Sequence, residues 1–352
     1  MSISVFEHLV LRGLFGQDEI ASLFSFAEDL RLMLEYEAGL VLAKGDAGLL
    51  PPASAERIAA ICRDFQPDIE RLKADTTRDG VVIPGLVGQL RNAVGGSGAE
   101  YVHTGATSQD VVDTAMALRL AQAGALFHDR LGELDKALDR LVGDFGQNPI
   151  KARTRMQVAQ AMPASNRLES WRGIVNANTE RLSAWLQQMP VLSFGGAIGA
   201  LDALGEQGPE VKGHLARHLG CKVTGNWHSN RHLFVDFANI CSAISGSLGK
   251  IGQDIALMAQ NEIDEIALAG AGGSSAMAHK RNPVAAEILV SLARFNATQV
   301  SGMHHALVHE QERSGSAWSL EWMLLPPMTA CAAASLDTAR RVLGDVERIG
   351  KR

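Results

Sequence analysis

The sequence predicts an all-α protein, a bundle of long helices with a smaller helical domain at the N-terminus. Three observations carry this. Apolar residues recur at helical spacing through stretches far longer than an average helix. Alternating Val, Ile and Thr are scarce, and the 352 residues include only 2 tyrosines, which argues against sheets. A hydrophobic fraction of 46% is ample for a core, yet no run approaches the ~18 consecutive apolar residues of a membrane span.

Taken in order, residues 21–44 read as an amphipathic helix through Leu23, Phe26, Leu30, Met33 and Leu40. Leu49-Leu50-Pro51-Pro52 is a break, after which Ser54 can cap a helix running to Asp64. Residues 75–84 read as a polar turn with a short extended piece, and 86–94 as helix. Gly95-Gly96-Ser97-Gly98 closes this first region, giving a domain of residues 1–98 and a bundle of residues 99–352. Phe127, Leu131, Leu134, Leu138, Leu141 and Phe145 alternate by four and three, so residues 111–145 form a helix of ~50 Å at 1.5 Å per residue. Such a rod needs partners of similar length. The spacing supplies them at 166–188, 236–269, 283–312 and 320–346, the last interrupted at Pro326-Pro327. Small residues such as Ala286, Ser291 and Ala293 permit close helix packing, and apolar stripes on rods of this kind point to oligomerisation.

The formal net charge is -6 and no basic block exists, which excludes an electrostatic footprint for nucleic acid. The 4 cysteines are far apart and form no CxxC, fitting reduced thiols in a cytoplasmic protein. The first residues lack a basic segment followed by an apolar one, so no signal peptide is expected.

Three polar segments interrupt the helical pattern. Residues 271–283 form a loop of small residues carrying Ser274, Ser275, His279, Lys280 and Arg281. It feeds a helix for which Asn282 is a suitable N-cap and Pro283 a suitable first residue. That loop is either a plain helix connection or an anion-binding lid. Thr107, Ser108 and Asp110 open the longest helix, either as caps or as a carboxylate-binding set. Arg153-Thr154-Arg155 lies between helices, either solvated or as a clamp for a planar anion. His228 and His232, like His214 and His218, have i,i+4 spacing but lack the glutamate of a zinc-protease helix, so no metal is expected. Glu262 and Glu265 read as solvated carboxylates near a helix end, or with Gln260-Asn261-Glu262 facing the central loop, and His304, His305 and His309 as helix-face residues. Arg313 is a candidate anion ligand. Phe194 to Gly199 reads as a tight connection that lets backbones approach, since it follows no strand and carries no lysine.

Together these segments resemble the signature blocks of the fumarase/aspartase superfamily. Residues 273–282, Gly-Ser-Ser-Ala-Met-Ala-His-Lys-Arg-Asn, are similar to its GSSxMPxKxN motif, residues 103–110 to its first block and residues 152–163 to its second. The resemblance runs along nearly the whole chain. It implies a long-helix bundle, a homotetramer whose active sites are shared between subunits, a small polycarboxylate substrate and no cofactor. It assigns Ser274 and Lys280 to catalysis. It places His103, Thr107, Ser108, Arg155, Gln157, Ser275, Asn282 and Arg313 at the substrate.

Residues 77–84, 194–200, 227–231 and 315–322 are similar to the muconate-cycloisomerase branch, which implies closure of 3-carboxy-cis,cis-muconate to 4-carboxymuconolactone. Two departures stand out. Ala278 replaces the motif's proline. Arg155 stands where the lyases carry a catalytic histidine, and the cycloisomerases also lack that histidine. The family's small C-terminal domain is expected to be absent. Alternatives left open are a 3-sulfomuconate cycloisomerase, a lyase acting on adenylosuccinate and a catalytically silent relative.

Overall fold

The structure is a computed structural model, and it describes residues 4–270, 272–273, 277 and 280–350. Short helices α1 (Arg12–Phe15) and α2 (Asp18–Leu23) lead into α3 (Phe26–Asp46). The single helix expected over 21–44 is therefore split. Ser25 is the reason: its side chain accepts the Glu28 N–H at 3.2 Å and starts a new helix. Helix α4 (Pro52–Asp64) begins at its proline, and Ser54 makes no cap, which corrects that expectation. Helix α5 (Ile69–Asp79), capped by Asp68 and ended by left-handed Gly80, occupies much of the expected turn, and α6 (Ile83–Val94) follows.

The core under α3, α4 and α6 is shared with later segments. Val111, Val112, Leu192, Phe194, Val211, Leu215 and Trp318 all enter it. Helix α9 (Gly208–Leu219), which the sequence reading did not mark, packs on α3. Gly39 permits this, because a Cβ there would lie 3.3 Å from both Leu215 and Leu219.

The bundle consists of α7 (Ser108–Phe145), α8 (Ala164–Leu186), α10 (His232–Met258), α11 (Val284–His305) and α12 (Gly315–Gly344). Phe127, Leu131, Leu134, Leu138 and Leu141 of α7 are all buried, each worth about 1.5–3 kcal/mol relative to exposure. Between α7 and α8 a hairpin, β1 (Pro149–Thr154) and β2 (Gln157–Pro163), replaces the expected loop. Strand β3 (Ile266–Leu268) pairs with β4 (Val346–Ile349) after α12.

Side-chain partners fix the directions of the helices. Arg231, just before α10, bonds Asp113 in the first turns of α7, so α7 and α10 start at the same end. Trp185, near the end of α8, bonds the Leu233 carbonyl there, so α8 returns to that end. Helices α11 and α12 then run back and forth between the ends. Helices α10 and α11 approach closely, because Gly249 and Gly252 have no side chain. A Cβ on Gly249 would stand 2.4 Å from that of Ala293, and one on Gly252 would stand 2.6 Å from the Ala286 carbonyl.

Two expected helix limits are corrected. Helix α10 stops at Met258, where the chain turns through left-handed Asp264 into β3. Helix α11 stops at His305, well before Glu312. Helix α12 is not interrupted at Pro326-Pro327. An interior proline costs about 3 kcal/mol. Leu324, Leu325, Met328, Cys331 and Leu336 continue the buried stripe across the pair, at about 1.5–3 kcal/mol for each large side chain. The stripe therefore outweighs the breakers. No helix among the described residues is long and apolar enough to cross a membrane.

Candidate active site

The start of α7 is the centre of one polar assembly. Asp110, fully buried, accepts the Thr107 N–H at 3.0 Å as the helix cap. It also accepts the N–H of Gly195 at 2.9 Å, the N–H of Gly196 at 3.0 Å, the Ser193 hydroxyl at 3.2 Å and Nε2 of His228 at 2.7 Å. A buried carboxylate is tolerable only when so satisfied. The glycines make the approach possible: Gly196 has φ 71, and a Cβ on Gly199 would collide with the Asn226 amide. Asp110 is thus committed to architecture, and Thr107 and Ser108 stand half-buried at its edge.

His103 lies beside them in a left-handed conformation, φ 64. Its Nδ1 is 2.7 Å from a carboxylate oxygen of Glu37, a side chain buried in α3. A carboxylate only accepts, so Nδ1 donates and Nε2 is the nitrogen left for a ligand. Lys44, also buried, donates to the Tyr101 carbonyl at 2.7 Å, and burial pushes its ammonium down to about 8. Arg313 reaches the same assembly. Its Nε donates to Gln109 Oε1 at 2.9 Å and its Nη2 to the Ala197 carbonyl at 3.1 Å.

Below this lies an ionic cluster whose pairing the sequence reading missed. Arg231 is fully buried between Asp113, at 2.6 and 3.0 Å, and Glu321, at 2.8 and 2.6 Å. The rings of Trp227 and Phe234 cover its guanidinium, each centroid 4.9 Å away. Burial pushes the Asp113 carboxyl up; Glu321, in spite of its burial, is held low by Arg231. The cluster ties α7, α10 and α12 together. Helical period alone could have flagged Asp113, which falls on the buried face of α7. His228 and His232 are committed elsewhere, to Asp110 and to Asn230. His309 lies beyond α11 with its side chain buried, which corrects its reading as a helix-face residue.

The other end of the bundle carries the remaining candidates. Arg155 and Met156 form the two-residue tip of the hairpin, with φ 49 and 67. Turns of this kind normally take Asn-Gly. Two non-glycine residues at positive φ store strain, which is often found where function demands it. Arg155 and Gln157 are exposed. Glu265, expected in solvent, is buried instead. It accepts the Lys151 N–H at 2.9 Å and an Arg153 N–H at 2.9 Å, with Arg167 at 3.6 Å. Next to it opens a cleft of about 640 Å³ lined by Arg153, Arg155, Arg167, Lys250, Asp254 and Met156 among others. Its cations outnumber its carboxylates, as an anion site requires.

Asn282 exchanges backbone hydrogen bonds with Gly272, both at 2.8 Å. It is not the N-cap of α11. Pro283 holds that position and makes no side-chain cap. Lys280 is exposed, and Ser274, Ser275 and His279 lie outside the described residues.

One chain therefore brings His103, Thr107, Ser108 and Arg313 together, and gathers Arg155, Gln157 and the 280–283 stretch at the opposite end. Arg172, one helical half-turn along α8 from the cleft-lining Ser170, bonds Asp135 of α7. From Ser108 to Asp135 the helix rises roughly 40 Å.

Known proteins resemble the chain along most of its length. The sequence pattern of a lyase family matches residues 42–302. The chain is 36% identical over 334 residues to 3-carboxy-cis,cis-muconate cycloisomerase of Pseudomonas aeruginosa, covering 93% of this chain and 72% of that protein. It is 31% identical over 347 residues to N-acetyl-S-(2-succino)cysteine lyase of Dickeya dadantii, covering 97% of this chain and 76% of that one. The crystal structure of 3-carboxy-cis,cis-muconate lactonizing enzyme from Pseudomonas putida matches with a TM-score of 0.90 at 32% identity, covering 97% of this chain and 77% of that chain.

Proposed function

The chain belongs to the fumarase/aspartase superfamily of lyases, and from that premise we propose that it closes 3-carboxy-cis,cis-muconate to 4-carboxymuconolactone. Family membership and the similarity to cycloisomerases make it a lyase or cycloisomerase. The observation that carries the finer reading is 36% identity to a cycloisomerase over 93% of the chain. Arg155 in the place of the lyases' histidine supports it.

Closure adds a carboxylate oxygen across one C=C bond and a proton to the neighbouring carbon. Read backwards, a proton leaves the carbon α to one carboxylate while another carboxylate departs from the β-carbon. The difficult species is the aci-carboxylate, which carries extra negative charge. Fixed cations and N–H donors lower it, each worth about 3 kcal/mol. Lys280, Arg155 and Arg313 supply the cations, while His103, Thr107, Ser108, Gln157, Ser275 and Asn282 orient the trianion. Either Ser274 moves the proton, its alkoxide favoured by Lys280, or Lys280 delivers it directly; rate lost in Lys280→Met but kept in Ser274→Ala rules out the serine. No cofactor takes part.

Arg155 and Arg313 stand at opposite ends of one bundle, so a site that uses both needs residues from neighbouring copies. The working unit in this reading is a homotetramer with shared sites. A second reading, elimination from a succinylated thiol, is favoured by the 31% identity to the succinocysteine lyase. Ultraviolet assays of the purified protein with 3-carboxymuconate, 3-sulfomuconate and N-acetyl-S-(2-succino)cysteine separate the three substrates. Turnover of the first is expected. Turnover of the third alone overturns the proposal. Lys280→Met should then lower kcat by about a hundredfold to a thousandfold.

A further inference from the structure

We propose that Gln109 is a positioning residue: its buried amide holds the guanidinium of Arg313 so that only the guanidinium's end-on pair of N–H groups faces an incoming carboxylate. This rests on the reading of Arg313 as an anion ligand.

The geometry behind it is specific. Gln109 is the second residue of α7 and is fully buried. Its Nε2 donates to the His228 carbonyl at 2.8 Å, and its Oε1 accepts from Arg313 Nε at 2.9 Å. A carbonyl only accepts and a guanidinium only donates, so the amide has one possible orientation. The His228 end is firm, because the ring of His228 bonds Asp110. Arg313 Nη2 donates to the Ala197 carbonyl at 3.1 Å.

Nε and Nη2 form the side edge of the guanidinium, and the protein occupies both. The edge formed by Nη1 and the second proton of Nη2 is left over, and it can take a carboxylate with two parallel hydrogen bonds. Both anchors are neutral oxygens, and among the described residues no carboxylate is paired with Arg313, so its charge stays available. The backbone does not fix it. Arg313 lies in the non-helical connection between α11 and α12, beside left-handed Gln311. The amide of Gln109 and the carbonyl of Ala197 supply the orientation that the connection lacks.

The test joins a kinetic cycle to two measurements that need no turnover. Gln109→Met keeps the approximate volume and removes both hydrogen bonds. It should lower kcat/KM for 3-carboxymuconate about tenfold to a hundredfold. It should also weaken calorimetric binding of propane-1,2,3-tricarboxylate by a similar factor. In an Arg313→Ala background it should add almost nothing, because the two residues act as one unit. A double variant worse than Arg313→Ala by the full factor of the single change overturns the proposal, because Gln109 then acts elsewhere.

In the unmodified protein, the 15N-labelled Arg313 Nε–H, assigned by its loss in Arg313→Lys, should be protected from solvent exchange. An unprotected signal overturns the proposal even if Gln109→Met fails to fold. If the protein proves inactive on the muconate, tricarboxylate binding and exchange protection still decide. Tricarboxylate binding equal in wild type and Arg313→Ala refutes the role of Arg313, and this inference with it.

Discussion

The two ends of the bundle use charge in opposite ways. At the α7 start, Asp110, Asp113, Glu321, Arg231, Glu37 and Lys44 are buried, and their bonds hold helices and loops to each other. At the hairpin end Glu265 alone of the acids discussed is buried, against Arg153 and Arg167, while Arg155, Lys280 and Arg281 are exposed and the cleft beside Arg155 is open. Buried charges are expensive unless paired, so the first end is rigid and has little charge to spare beyond His103 and Arg313. Exposed cations cost little to maintain and wait for a counter-charge. One end is an architecture that presents a few groups; the other is a set of groups in need of something to close on.

The largest expected effect tests the rigid end. Arg231→Leu leaves Asp113 and Glu321 buried without a counter-charge and should cost about 3–5 kcal/mol in urea unfolding, whereas Arg155→Ala should stay within about 0.5 kcal/mol. Equal losses would erase the contrast. Next comes Lys44. Burial lowers its ammonium from 10.5 to about 8. The unfolded chain therefore binds more protons through that window, and stability should rise as pH climbs from about 8 to 10.5, by at most about 3 kcal/mol. Lys44→Met should lack that rise. An unchanged pH dependence in the variant would remove Lys44 from the account.

The third prediction asks whether the ends are halves of one site. Arg155→Ala and Arg313→Ala should each lose about a hundredfold in kcat/KM, near 2.7 kcal/mol. Co-expressed, they should recover roughly a quarter of wild-type activity, because random mixing gives about one site in four both native arginines. No recovery would mean that both arginines must come from one chain.

The long helices were legible because burial follows their period: Phe127 to Leu141 are buried as the spacing requires. What escaped was decided by contacts distant in sequence. Helix α5 buries only Leu72, so its apolar period is nearly silent. Pro326-Pro327 reads as a break because local rules know nothing of the stripe that carries α12 through. The hairpin from 149 to 163 is mostly exposed and has no alternation to read. Its tip was still identifiable as chemistry, because Arg153-Thr154-Arg155 resembles a family block. The pairing of Glu265 with Arg153 spans more than a hundred residues and leaves no local trace. Asp110 looked like a cap and is one. That it also gathers Gly195, Gly196 and His228 follows only from the fold.

The distance along α7 has a consequence for how such a protein is switched off. If, as proposed, each tip holds half a pocket, a single copy of the rod holds no complete pocket even where it stays folded. Specific activity should therefore decline with dilution while the circular dichroism spectrum stays constant, and reconcentration should bring the activity back.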